Sequence, residues 1–266
     1  MNGVARVRGI ELAYTDAGRG AAVVLLHGFP FDRSMWRGQV EELSNSFRVI
    51  APDLRGHGET TVTREPSTME EMAEDLSVLL DELNVPRAVV CGLSMGGYVA
   101  LAFYRAHPSR VRALVLADTR PQSDTEDARR TREETARRAL AEGMAPIADA
   151  MLPKLLSTRT REQAPETVAR VREMMLGANP EGAAAALRGM ALRRDQTDLL
   201  TLIDVPTLVI VGSEDKITPP SDAEAMSEGI EGSRLVVVEG AGHVSNVERP
   251  REFNRALVGF LEDLPS

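Results

Sequence analysis

Gly92-Leu93-Ser94-Met95-Gly96 places a serine between two glycines, each two positions away. The apolar run Ala88-Val89-Val90-Cys91 precedes it, and a helix-like stretch from Gly97-Tyr98-Val99-Ala100-Leu101 follows. This is G-x-S-x-G in a strand-turn-helix setting. A serine at the tip of so tight a turn projects its oxygen above a sheet. Bulkier side chains at the flanking positions would collide, which accounts for both glycines. The helix N-terminus beneath the serine favours developing negative charge. The alternative is a glycine-rich turn with an incidental serine. Cys91 is a rival nucleophile only by residue type, because a free cysteine inside an apolar strand is ordinarily a small buried hydrophobe.

A serine hydroxyl needs a base at neutral pH, normally a histidine oriented by a carboxylate. His243 lies in Glu239-Gly240-Ala241-Gly242-His243, directly after the last strand-like run. Loops at the C-terminal ends of parallel strands are where such sheets place their chemistry. Asp215 follows the run Val209-Ile210-Val211-Gly212 and is the expected acid. Glu214 is its neighbouring competitor. Asp118, after Leu114-Val115-Leu116-Ala117, is a further candidate that could reach the same histidine. The order is then Ser94, Asp215, His243.

His27-Gly28-Phe29-Pro30 follows Val23-Val24-Leu25-Leu26. Here the backbone matters most. The N–H groups of Phe29 and Met95 are expected to form an oxyanion hole. Each such donor contributes about 3 kcal/mol of transition-state stabilisation. Phe29 and Met95 are also expected to line the substrate site. His27 and His57 read as loop architecture, and His107, just past a helix end, as a surface residue. No set of His, Cys, Asp and Glu has metal-ligand spacing, so no metal and no cofactor are expected. Gly18-Arg19-Gly20 has no dinucleotide pattern around it and reads as a turn between strands.

The elements that must position these residues are visible as short β-branched runs. They are Ala22 to Leu26, Arg48 to Ala51, Ala88 to Cys91, Ala113 to Ala117, Thr207 to Val211 and Arg234 to Val238. Runs apolar at nearly every position suit strands buried on both faces of a parallel sheet. Ser67 to Leu83 carries Met72, Leu76, Leu79, Leu80 and Leu83 at helical spacing, and Ser67-Thr68 with Glu70-Glu71 forms a plausible N-cap. Tyr98 to Ala106 and Pro250 to Leu261 also read as helices. Alternating strand and helix predicts an α/β architecture with a mostly parallel central sheet.

From about Arg120 to Asp198 there is no strand signal. The segment is rich in Ala, Arg and Glu and carries Met144, Met151, Met174, Met175 and Met190. Its mixed charges mark solvated helix faces. The expected organisation is a core of residues 1–119 and 199–266, with residues 120–198 as a helical cap (lid) inserted after the sixth strand. The cap methionines are either pocket lining or ordinary helix packing, and Trp36 reads as packing.

The 266 residues are 43% hydrophobic and 27% charged, enough apolar material for a large buried core. A net charge of −9 argues against nucleic acid or anionic membrane as the main partner. The single cysteine excludes an intramolecular disulfide. The N-terminus lacks a signal-peptide pattern, and no apolar run approaches a membrane span, so a cytoplasmic location is expected.

His27 to Pro30, Asp53 to Gly58, Gly92 to Gly97, and the pair Asp215 and His243 together resemble the α/β-hydrolase superfamily over nearly the whole chain. Within it the chain is similar to small bacterial carboxylesterases, 3-oxoadipate enol-lactonases, cofactor-free haloperoxidases with esterase activity, and carbon–carbon bond hydrolases. Leu116-Ala117-Asp118-Thr119-Arg120 resembles the enol-lactonase group. The resemblance implies the α/β-hydrolase fold and a Ser-His-Asp hydrolase acting on a small-molecule ester with short to medium acyl chains. Lactone cleavage, carbon–carbon cleavage and perhydrolysis are the alternatives. Epoxide hydrolases and haloalkane dehalogenases would carry aspartate at position 94. Some members of the superfamily are receptors or binding proteins, but all three triad positions are filled here. A monomer or homodimer is expected.

Overall fold

The computed structural model describes residues 2–265. Eight strands form one sheet in the order β1-β2-β4-β3-β5-β6-β7-β8. They are β1 (Asn2–Val7), β2 (Ile10–Ala17), β3 (Ala22–Leu26), β4 (Arg48–Pro52), β5 (Ala88–Leu93), β6 (Val111–Ala117), β7 (Thr207–Gly212) and β8 (Arg234–Val238). All six strand-like runs of the sequence are strands, and their neighbours pair in parallel from β4 to β8. Two further strands, β1 and β2, precede these runs. These form an antiparallel hairpin, and β2 pairs antiparallel with β4. β1 alternates exposed and buried positions and buries only one side of an edge, so it has no continuous apolar run to detect. Its turn, Arg8-Gly9, takes two positive φ angles, the geometry of a tight hairpin.

Strand periodicity sorts the core into two layers. Val24, Leu26, Val90, Leu114, Leu116, Val209 and Val211 face one side, with α2 (Met69–Glu82) and α3 (Met95–Ala106). Val23, Leu25, Val89, Cys91, Val115, Leu208 and Ile210 face the other, with α1 (Arg37–Leu43) and the C-terminal helix Pro250–Glu262. Trp36 is fully buried there, against Phe253. α2 begins with a complete capping box. The Glu71 amide donates to Thr68 Oγ1 at 3.2 Å, and the Thr68 amide donates to Glu71 Oε2 at 3.3 Å.

Between β6 and β7 the chain is helical: α4 (Glu126–Glu142), α5 (Ala145–Leu155), α6 (Thr158–Gln163), α7 (Pro165–Leu176) and α8 (Pro180–Ala191). α4 packs on α8, whose Ala183 to Ala186 are all buried and allow a close approach. The outer face of α4 carries Arg137–Glu133 and Arg138–Glu142 pairs one turn apart. Met144 and Met190 are buried in the core layer shared with α2 and α3, and Met175 in the opposite layer. The chain then returns through β7, α9 (Pro220–Gly229), β8, α10 (Ser245–Glu248) and α11 (Pro250–Glu262). Among the described residues, no helix is long and apolar enough to cross a membrane.

Candidate active site

Parallel strands β3, β5, β6 and β7 end at the same edge, and the loops leaving them converge there. Ser94 is the single residue between β5 and α3. Its φ of 54° and ψ of −113° are a strained conformation for a residue with a side chain. The turn leaves no room beside it. A Cβ on Gly92 would lie 2.1 Å from Gly96 O, and one on Gly96 would lie 2.1 Å from Leu26 O. The Ser94 amide donates to Ala117 O at 2.9 Å, and Thr119 Oγ1 donates to Ser94 O at 2.9 Å, so the end of β6 clamps the turn.

His243 follows β8, and Asp215 follows β7. His243 Nε2 is 2.8 Å from Ser94 Oγ, and His243 Nδ1 is 2.8 Å from Asp215 Oδ2. The carboxylate is fully occupied. Thr218 Oγ1 donates to Oδ2 at 2.8 Å, and the amides of Ile217 and Thr218 donate to Oδ1 at 2.8 and 3.0 Å. An acceptor-only carboxylate at Nδ1 requires that nitrogen to carry the proton. Nε2 is then left as an acceptor facing the serine hydroxyl. His243 and Asp215 are buried, and Ser94 keeps partial exposure.

Burial pushes the Asp215 carboxyl up, but the His243 charge and hydrogen bond and the two amides outweigh it, so the group lies below its ordinary range. Burial pulls His243 down. The charge and hydrogen bond of Asp215, followed by the charge of Asp118, outweigh that and hold it above 6.5, against a smaller opposing effect of Arg120. A base must be neutral to accept a proton. Activity at this site is therefore expected to rise with pH through an ionisation above 6.5. A kcat/KM profile whose acid limb lies below the ordinary imidazole value would contradict this assignment.

Of the competing carboxylates, neither Glu214 nor Asp118 hydrogen-bonds His243. Glu214 accepts from the Thr158 amide at 3.0 Å. Asp118 accepts from Gly212 and Ser245. Phe29 and Met95 flank the serine turn, and among the described residues neither amide donates to a protein acceptor. For Met95 this follows from its place at the start of α3. Phe29 is 8% exposed, whereas the Met95 side chain is fully buried in the core.

His27 and His57 brace the Phe29 loop. His27 Nε2 accepts from the Leu54 amide at 2.9 Å, its Nδ1 pairs with Gly28 O at 3.0 Å, and its ring meets His57 edge-on at 5.0 Å. Burial pulls their pKa values down to about 4 and about 3, which keeps both neutral. Burial pushes the Cys91 thiol up, which leaves it protonated inside β5. His107 departs from the surface position expected of it. It is half-buried against Phe103, with Nε2 2.9 Å from Glu74 Oε1. Thr119 and Thr218 were not singled out from the sequence, although each sits within three residues of a strand-end aspartate, a position from which a hydroxyl can serve the turn.

A family profile described as alpha/beta hydrolase fold matches residues 21–250. A 3-oxoadipate enol-lactonase of Acinetobacter baylyi is 30% identical over 91% of this chain and 89% of its own. A thermophilic esterase from Thermogutta terrifontis is 44% identical over the whole of both chains, with a TM-score of 0.97. An enol-lactonase from Burkholderia xenovorans is 33% identical, with a TM-score of 0.92, over 98% of this chain and all of its own. With the sheet order and the serine turn, these similarities identify the chain as a hydrolase that belongs to the α/β-hydrolase family.

Proposed function

We propose that this hydrolase cleaves carboxylic esters through an acyl-enzyme, with Ser94 as nucleophile, His243 as base and Asp215 as its acid. The observation that carries the reading is the unbroken run Ser94 Oγ, His243 Nε2, His243 Nδ1, Asp215 Oδ2, with both contacts at 2.8 Å. Ser94 Oγ attacks the ester carbonyl while its proton passes to Nε2. Asp215 holds the ring and stabilises the imidazolium. The Phe29 and Met95 amides receive the oxyanion. The tetrahedral intermediate expels the alkoxide, which takes the proton from Nε2 and leaves as alcohol. Water then gives a proton to Nε2 and attacks the acyl carbon, and the second intermediate expels Ser94 Oγ, which takes that proton back as the acid leaves.

Residues 120–198 act as a cap over this site, between residues 1–119 and 199–266. Three contacts support that role: the His243 amide donates to Leu155 O at 2.8 Å, Ser157 to Glu248 and Thr158 to Glu214. The substrate is a small-molecule ester, and no cofactor takes part.

A panel of p-nitrophenyl esters from acetate to octanoate, run beside simple lactones and an enol-lactone, tests the reading. Short and medium esters are expected to give the highest kcat/KM. Negligible ester turnover beside rapid lactone opening would replace it with the second reading, a lactone hydrolase. That reading is favoured by the enol-lactonase relatives and uses the same two-step chemistry on a cyclic ester.

A further inference from the structure

The segment Ala117-Asp118-Thr119 touches all three loops of the site. Ala117 O and Thr119 Oγ1 hold Ser94. Asp118 Oδ1 accepts from the amide of Gly212, the last residue of β7 before the Asp215 turn, at 2.8 Å. Asp118 Oδ2 accepts from Ser245 Oγ at 2.5 Å and from the Ser245 amide at 3.3 Å, two residues beyond His243. The carboxyl is fully buried. Its residue takes a φ of 45°, a left-handed conformation that aspartate tolerates better than most side chains.

A buried carboxylate without a cation in direct contact is costly. A strand end needs none, because an amide or hydroxyl would cap Gly212 and Ser245 as well. What lies around Asp118 is the catalytic machinery. Asp215, on the loop after β7, and His243, on the loop after β8, are the ionisable groups that act on it. His243 in turn feels Asp215, Asp118 and Arg120.

Given the roles proposed above for Ser94, His243 and Asp215, we propose that Asp118 is a second carboxylate of the catalytic site. It is a positioning residue that fastens the acid and base loops together and, once ionised, adds a negative charge at the foot of the His243 loop. Burial and the charge of Asp215 push the Asp118 carboxyl up to about 8, while His243, Ser245 and Gly212 pull it back. Each group therefore shifts the other's ionisation, so imidazole neutralisation depends on the charge of Asp118. Ionised Asp118 makes His243 more basic and stabilises the imidazolium formed when Ser94 attacks.

The test is the pH dependence of kcat/KM for a p-nitrophenyl ester in wild type, Asp118→Asn and Ser245→Ala. Asparagine keeps the shape and tolerates the left-handed backbone but carries no charge. The acid limb of Asp118→Asn is expected to move down by about 1 pH unit, the scale of one nearby opposite charge. Ser245→Ala keeps the carboxyl but removes a donor that favours its ionised form, so its limb moves the same way by less. If the Asp118→Asn limb superimposes on wild type and only the plateau falls, Asp118 merely fastens loops and the proposal is overturned. Should Asp118→Asn not fold, an unmoved limb in Ser245→Ala overturns it equally. Failure of the triad reading looks different: Ser94→Ala would then keep its activity.

Discussion

Ser94→Ala is expected to lower kcat for p-nitrophenyl ester hydrolysis by about 10⁶-fold, the scale of loss when the nucleophile of such a triad is removed. The loss is so large because no neighbouring group can take over. Cys91 is sealed in β5 with a protonated thiol. Thr119 points its hydroxyl at Ser94 O rather than at His243. The weak rate that survives should come from the Phe29 and Met95 amides and from substrate binding, neither of which needs the hydroxyl. Folding should be nearly untouched. The bonds that hold the turn are made by backbone atoms of Ser94 with Ala117, Gly97, Tyr98 and Thr119. Only the Oγ contact to His243 disappears, about 1 kcal/mol. That corresponds to a melting shift of about 3 °C in a chain of this size. A kcat within tenfold of wild type, with the variant folded by circular dichroism, would remove Ser94 from the mechanism and the acyl-enzyme with it.

The serine, histidine and strand-end carboxylates were legible in the sequence for a topological reason. Each directly follows an apolar run, and a parallel sheet brings the C-terminal ends of β5, β6, β7 and β8 to one edge whatever the intervening helices do. The choice among Asp215, Glu214 and Asp118 was not legible to the same degree. All three follow strand ends, and only loop geometry assigns their partners. Three donors from Ile217 and Thr218 aim the Asp215 carboxylate at the ring, whereas the left-handed backbone at Asp118 turns its carboxyl toward Gly212 and Ser245. The β1–β2 hairpin escaped because the edge strand β1 buries one face only and the second half of β2 is only partly buried, so neither carries the continuous apolar run of a central strand. The helical character of residues 120–198 showed in composition. The contacts of Leu155, Ser157 and Thr158 with the segments after β7 and β8 did not, because backbone groups supply one side of each and no side-chain pattern announces them.

Asp215→Asn is expected to lower kcat by about 10⁴-fold while leaving KM within a few-fold, the signature of a histidine held in the wrong tautomer. The local hydrogen bonds dictate this outcome. Oδ1 of the carboxylate accepts two backbone amides, from Ile217 and Thr218. In asparagine the oxygen must keep that position, because an NH₂ group there would face two N–H donors. The NH₂ group is then directed at His243 Nδ1 and Thr218 Oγ1, where Oδ2 had been. Nδ1 must become the acceptor, and the ring proton moves to Nε2, against Ser94 Oγ. A protonated Nε2 cannot take the serine proton, so the geometry survives and the base is lost. Removing the Asp215 charge also lowers the pKa of His243, so any remaining activity should persist to more acidic pH than in wild type. Asp118 does not compensate, because its carboxyl stays tied to Gly212 and Ser245 and makes no hydrogen bond to the ring. A loss smaller than about tenfold in steady-state kcat, far below the 10⁴-fold scale, would mean that Asp215 does not set the histidine tautomer, and would direct the assignment of the acid to Asp118.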